Sequence, residues 1–311
     1  MKKLMLAAVT CLICLASTAQ FGGLGKNLLK GKSPLDALMK KAPITTSLED
    51  VNMEGALDPS FGKDSIYSSM FSLQRTPNGG FILKQGFHDY QSQSYCLKAG
   101  THGPGGGDGY MYGPTQGPMD DVVMAVVKNS VDKPNIQQQD IQVLLWSIIA
   151  RAKFDDLQSK IKVVASQLLT PRQLTKLNGG ALGLVPDKVT QKAIDEAPPL
   201  VRQALQAEAE LRSMLSSANA SFADMERVAV LSGAAPIGEG SQTVPSGRWS
   251  LHPDGYYVRY IPSGYSSTRV QIWVPQGSPA VGKEYDPSTH IAVPGNTARQ
   301  RLIQSGREKQ Q

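Results

Sequence analysis

Two of the three cysteines in this 311-residue chain, Cys11 and Cys14, sit inside an apolar N-terminal run. Lys2 and Lys3 precede the run LMLAAVTCLICLA, and the small residues of STA follow it. That is the pattern of a cleavable secretory leader, with cleavage expected after Ala19. The run is short for a membrane span. The chain that remains keeps one cysteine, Cys96, for a compartment in which thiols oxidise. No intramolecular disulfide can then form, so a buried apolar core must hold the fold. A lone thiol in that setting must be buried and inert, paired with another chain, catalytic, or chemically capped.

Composition supports such a core. Hydrophobic residues make up 41% of the chain and charged residues 19%, the balance of a globular protein. Loss of Lys2 and Lys3 with the leader lowers the formal net charge from +6 to +4. The remaining Lys and Arg residues are dispersed, which argues against a nucleic-acid partner. The chain is expected at the cell surface, in a periplasm or outside the cell, with no stable membrane span in its mature part.

The pattern along the chain divides it into six stretches. Residues 1–19 read as the leader and 20–64 as a Gly- and Lys-rich lead-in with a short amphipathic piece from Pro34 to Lys41. Residues 65–232 read as an α+β domain. In it, strands around the turn Pro77-Asn78-Gly79-Gly80 end near Cys96, and helices follow from about Asp120. The strongest helical periodicity lies in NIQQQDIQVLLWSIIARAKF, where Ile141, Leu144, Leu145, Ile148 and Ile149 recur at helical spacing. Further helices are expected from Pro171, from Pro198 to Ser216 and from Ser221 to Leu231. Residues 233–247 read as a Gly/Pro/Ser linker and 248–295 as a β-rich region of hairpins. Residues 296–311 read as a basic, polar tail that frays. The expected class is therefore α+β: a strand-flanked, mainly helical core with a small β-rich C-terminal region.

Chemistry concentrates around SYCLKAGTHGPGGGDGYMYGP, residues 94–114, and the helix carrying Gln142 and Trp146. A glutamine on the margin of an apolar helix face is costly unless it is paired. Tyr95-Cys96-Leu97 followed by Ile141-Gln142-Val143-Leu144-Leu145-Trp146 resembles the internal thioester domains of bacterial surface adhesins. In that family a Tyr/Phe-Cys-Ile/Leu strand end precedes a Thr-Gln-x-Ala-Ile-Trp helix. The glutamine-to-tryptophan spacing is kept; Ile141 and Leu144 replace the family's threonine and alanine. The likeness extends over roughly residues 84–155.

The resemblance implies that the Cys96 thiolate attacks the Gln142 carboxamide, expels ammonia and leaves a thioester. A shielded thioester waits for an amine on a partner, which takes the acyl group in a single turnover. Tyr95, Trp146, Tyr110 and Tyr112 are the expected shield, with His102 as an assisting proton shuttle. N–H groups of the glycine run are expected to polarise the thioester carbonyl. The partner is then a protein or another amine-bearing surface ligand. No catalytic cycle, cofactor or metal is implied.

Two other readings fit the same residues. In one, the protein is a non-catalytic secreted structural or binding module with a buried Cys96. Tyr256, Tyr257, Tyr260, Tyr265 and Trp273 then offer rings to a partner or pair across strands. In the other, Cys96 is the nucleophile of a hydrolase or transferase with His88, His102, His252 or His290 as its base. Outside the leader, the single cysteine and the four scattered histidines show no Cys-x-x-Cys or His-x-x-x-His spacing that points to a metal.

Overall fold

The computed structural model describes residues 42–178, 195, 197–217 and 219–309. The expected leader and the amphipathic piece at Pro34–Lys41 lie outside these residues.

A large antiparallel sheet organises the molecule. Its longest member, β3 (Gly86–Cys96), buries alternate residues His88, Tyr90, Ser92, Ser94 and Cys96, the two-residue period of a strand with one inward face. Along one edge β3 pairs with β9 (Ser267–Val274) as far as Gln93↔Ser267. Along the other it pairs first with the short parallel β1 (Ser68–Ser69) and then with β12 (Leu302–Glu308). Beyond β9 lie β8 (Tyr257–Pro262) and β7 (Ser250–Leu251); beyond β12 lie β11 (His290–Pro294) and β5 (Tyr110–Pro114). The sheet has eight strands and curls until it is nearly a closed barrel. Its two margins meet where the Tyr112 N–H of β5 donates to Ser250 Oγ of β7 at 2.9 Å. Twist accumulated over many strands produces such curling. Short ladders lie outside the sheet: β2 (Phe81–Ile82) pairs with β10 (Glu284–Tyr285), and β4 (Thr101–His102) with β6 (Val230–Leu231).

The helices cover part of this sheet. They are α1 (Asp120–Asn129), α2 (Gln138–Ile149), α3 (Ser159–Leu168), α4 (Pro171–Asn178), α5 (Pro199–Ser216) and α6 (Phe222–Ala229). Every residue of α2 from Ile141 to Ile149 is buried. A helix apolar on all sides must be enclosed on all sides. It is enclosed by β3 on one side and by α1, α3, α5 and α6 on the others. No helix among the described residues is long and apolar enough to cross a membrane.

The expected architecture needs correction. The core is not mainly helical: the eight-stranded sheet dominates it, although 32% of the described residues are helical and 24% are in strands. Nor is the β-rich C-terminal stretch a separate region, because β9 and β12 flank β3 in one sheet. The expected fraying tail supplies β12, whose first five residues, Leu302–Gly306, are buried. Its polar look misleads because Gln304 and Ser305 spend their hydrogen bonds inside the fold, Ser305 Oγ donating to the Gln93 carbonyl at 3.2 Å. Local pattern marks strands such as β3, β8 and β9, yet it misses β12 and says nothing of strand partners 200 residues away.

Candidate functional site

Cys96 is the last residue of β3, and that position leaves it with a problem. Its backbone N–H and C=O point away from β12, because the neighbouring Leu97 N–H is the one that donates to Arg301 O, at 2.9 Å. On the opposite side β9 has ended, with Ser94 N–H donating to Ser266 O as the last link. The Cys96 amide groups would be orphaned in a dry environment. Gln142 satisfies both. Cys96 N–H donates to Gln142 Oε1 at 2.9 Å, and Gln142 Nε2 donates to Cys96 O at 3.1 Å. The side-chain amide thus replaces a missing strand partner and lies flat against the backbone of the cysteine.

A row of residues four apart on α2 runs along this strand end. Gln138 Nε2 donates to Ser94 O at 3.1 Å and to Ser266 O at 2.7 Å. Gln142 follows one turn later. Trp146 comes next, and its Nε1–H donates to Cys96 Sγ at 3.1 Å. The three side chains fix strand, amide and sulfur relative to one another. Exposure is 0% for Cys96, 2% for Gln142 and 0% for Trp146. Burial pushes the Cys96 thiol up to about 12, with the Trp146 hydrogen bond acting in the opposite direction and the Glu226 charge reinforcing the rise. The thiol is therefore held neutral.

Two elements cover Trp146. The α6 helix opens with a capping box in which Ser221 Oγ accepts from Asp224 N–H and the Asp224 carboxylate accepts from Ser221 N–H. That start sets Phe222 and Glu226 four residues apart. Phe222 stacks on Trp146 with ring centroids 5.4 Å apart. The tip of the β8–β9 hairpin brings Tyr265 within 6.5 Å of the same indole, and Tyr265 Oη donates to Glu226 Oε1. Phe222, Glu226 and Tyr265 are half-buried. They form the outermost layer over the site.

The expected shield is thus only partly the observed one. Trp146 touches the sulfur. Tyr95 is adjacent in sequence but points to the opposite face of β3, as strand alternation requires; its Oη donates to Gln93 Oε1 at 3.1 Å. Tyr110 and Tyr112 belong to β5, three strands from β3 in the sheet, roughly 14 Å away at ordinary strand spacing. Tyr112 instead stacks near His252 and His290, at 4.8 and 4.9 Å. His102 lies in β4, and no hydrogen bond joins it to Cys96 or Gln142; its Nδ1 is buried without a partner.

The glycine run also differs from expectation. The N–H facing the Gln142 carbonyl is that of Cys96 itself. Gly100 has φ +65° and sits so close to α5 that an added Cβ would lie 2.7 Å from Ala207 Cβ. A Cβ on Gly109 would fall 2.2 Å from Val244 O. Both glycines serve close packing rather than catalysis.

The other histidines are engaged elsewhere. His88 Nε2 contacts Lys84 O at 2.8 Å, His252 Nδ1 accepts from Asp254 N–H at 3.1 Å, and His290 Nε2 meets Tyr256 Oη at 2.6 Å. No Cys–His pair is formed among the described residues, and no group of three or more His, Cys, Asp or Glu there is placed to hold a metal. Of the aromatic residues considered for partner binding, Tyr256 and Tyr260 are buried at 1% and 0% exposure. Tyr257 stacks on Trp273 at 5.0 Å, a cross-strand pair.

Sequence reasoning did not single out Gln138, Phe222, Glu226 or the covering role of Tyr265. The Gln138–Gln142–Trp146 row was readable as one helix face. The contributions of α6 and the hairpin depend on tertiary contacts that carry no local signature. No protein-family model, curated protein or solved structure matches the chain.

Proposed function

We propose that Cys96 and Gln142 form an internal thioester with which the exported protein captures an amine on a partner. The observation that carries this reading is the docking of the Gln142 amide onto the backbone of Cys96 while Trp146 holds the sulfur in a water-excluded site. The Cys96 N–H donates to the carbonyl oxygen on which negative charge develops during acyl transfer. Sulfur adds to the Gln142 carbonyl carbon and the amide nitrogen leaves as ammonia, taking up the thiol proton. The neutral thioester is better suited to this dry site than a thiolate would be. An arriving primary amine then forms an amide with the Gln142 acyl group and returns the thiol to Cys96. Each molecule reacts once. The protein ends covalently joined to its partner through residue 142, as the likeness to adhesin thioester domains implies.

The same hydrogen bonds favour one other reading, in which Gln142 only completes the end of β3 and Cys96 is an inert core residue. Intact mass separates the two. The thioester lowers the mass by one ammonia, about 17 Da, and methylamine converts it to an adduct about 14 Da above the unreacted chain. The Cys96→Ala variant should show neither change. A full mass in the freshly purified protein, with no adduct, overturns covalent capture.

A further inference from the structure

We propose that Tyr265 and Glu226 form a latch over the thioester and that Glu226 selects a primary ammonium, such as a partner lysine side chain, as the group captured. This inference rests on the reading of Cys96 and Gln142 as a thioester.

The layering of the site leads to it. Cys96, Gln142 and Trp146 are closed off from water, and the half-buried residues above them are Phe222, Glu226 and Tyr265. Phe222 and Tyr265 flank the indole whose N–H holds the sulfur. The Tyr265 hydroxyl is tied to the Glu226 carboxylate. A nucleophile arriving over Trp146 meets this outer layer first, and the anionic group in it is Glu226. The carboxylate is close enough for its charge to be felt at the Cys96 sulfur.

The hairpin carrying Tyr265 is pinned by its backbone. Ser94 Oγ donates to Tyr265 O at 2.9 Å, and Gln138 holds Ser266 O. Opening therefore needs a rotation of the Tyr265 side chain and not a movement of the loop. Rotation breaks the hydroxyl–carboxylate hydrogen bond and opens the half-buried Glu226 carboxylate to another donor. An ammonium restores that partner with opposite charge.

Chemistry narrows the class further. A lysine ammonium must lose one proton before its nitrogen can attack, and a carboxylate beside it can take that proton. The nitrogen then bonds to the Gln142 carbonyl carbon, the carbon–sulfur bond breaks, and the second ammonium proton passes to the Cys96 sulfur. The products are an amide and a thiol. A guanidinium satisfies the charge but does not give up its proton, so arginine is excluded as the captured residue. Lysine also carries a slender four-carbon stem able to pass between two rings.

The test compares a cationic with a neutral amine near pH 7.5, using methylamine and hydroxylamine and reading adduct formation by intact mass. In the wild type Glu226 assists only methylamine, which is protonated at this pH. Glu226→Gln keeps a hydrogen-bond acceptor for Tyr265 and removes the charge. It should slow methylamine capture by about tenfold or more while leaving hydroxylamine capture within about twofold, a change in ratio that a packing defect would not produce. Tyr265→Phe keeps the ring and frees the carboxylate, so it should speed capture of methylamine. An unchanged methylamine-to-hydroxylamine ratio in Glu226→Gln overturns this inference while leaving the thioester standing. Absence of the ammonia deficit in the wild type overturns both.

Discussion

Two buried polar clusters sit in one protein and have opposite chemical characters. At the end of β3, a side-chain amide docks on the backbone of a cysteine, and the polar groups that meet there are partnered: Cys96 N–H, Cys96 O and Cys96 Sγ each have one bond to α2. Within the curled sheet, His252 stacks on His290 at 4.9 Å and on Tyr256 at 4.3 Å, and His290 is gripped by Tyr256 Oη and by Asp286 O at 2.8 Å from Nδ1. Burial holds both histidines well below their usual basicity, His252 at about 4 and His290 at about 3. The second cluster contains acid–base groups with nothing electrophilic beside them. The first contains a thiol and a side-chain amide held to the same strand end by α2. Burial shapes both clusters, so burial alone does not tell their chemistry apart; the kinds of groups that meet do.

The sharpest way to break this comparison is Gln142→Ala. Under the thioester reading it removes the acyl donor, so the ammonia deficit disappears. Relative to unreacted protein it orphans the Cys96 N–H and C=O, at roughly 1–3 kcal/mol for each group left unsatisfied; relative to the thioester, whose amide nitrogen has already left, it orphans the N–H. The expected loss of stability is therefore about 2–6 kcal/mol against unreacted protein and about 1–3 kcal/mol against the thioester, measured by urea unfolding of variant and wild type under reducing conditions. A loss below about 1 kcal/mol would mean that water reaches the strand end and that the site is not dry.

The histidine cluster should make itself known through acid. The folded pKa of His290 lies below its ordinary value of about 6.5, so the unfolded chain binds a proton that the native state refuses. Stability from this group is complete above about pH 6.5 and is lost as pH falls toward about 3. Within that window the slope approaches about 1.4 kcal/mol per pH unit. His290 alone should contribute about 2 kcal/mol to the difference between urea midpoints taken at pH 7 and pH 5, with His252 adding to it in the same direction, and His290→Gln should reduce the difference. Equal midpoints would mean that the ring is hydrated in the native state.

A smaller effect is expected at Trp146. Phenylalanine there keeps an aromatic ring against Phe222 and loses the N–H that points at sulfur. The cost to stability should be about 1 kcal/mol. Under the thioester reading, formation of the bond should slow by more than that stability change accounts for, because the donor that favours the thiolate is gone. Time courses of the ammonia deficit after refolding would measure it.

How much of this was readable beforehand follows the range of the interactions. The helix from Gln138 to Ile149 and the strand ending at Cys96 were legible because periodicity and flanking residues are local signals. The Gln142–Trp146 row was legible for the same reason. The assembly of the sheet was not. β3 finds its neighbours in β9 and β12, some 180 and 210 residues along the chain, and nothing in RLIQSGREKQQ announces a buried strand. Of the expected shield only Trp146 reaches the sulfur, because nearness in sequence is not nearness in space: Tyr95 follows the alternation of its strand to the opposite face, and Tyr110 and Tyr112 are carried off to the sheet margin by β5. Tyr265 and Glu226 could not be found from sequence, since a hairpin tip and a helix face meet there only through the packing of Trp146.

Tyr110 provides the mildest test and bears directly on that misassignment. Its ring is fully buried, and its hydroxyl has no hydrogen-bond partner. Removing an unsatisfied buried hydroxyl relieves a desolvation cost and removes no bond. Tyr110→Phe should therefore leave the melting temperature unchanged or raise it, by the equivalent of less than about 1 kcal/mol. It should also leave methylamine capture at the wild-type rate, because β11 and β12 stand between Tyr110 and Cys96. A faster capture or faster hydrolysis in this variant would place Tyr110 in the barrier to water after all, and would move the entrance to the site from the Tyr265 side to the β5 side.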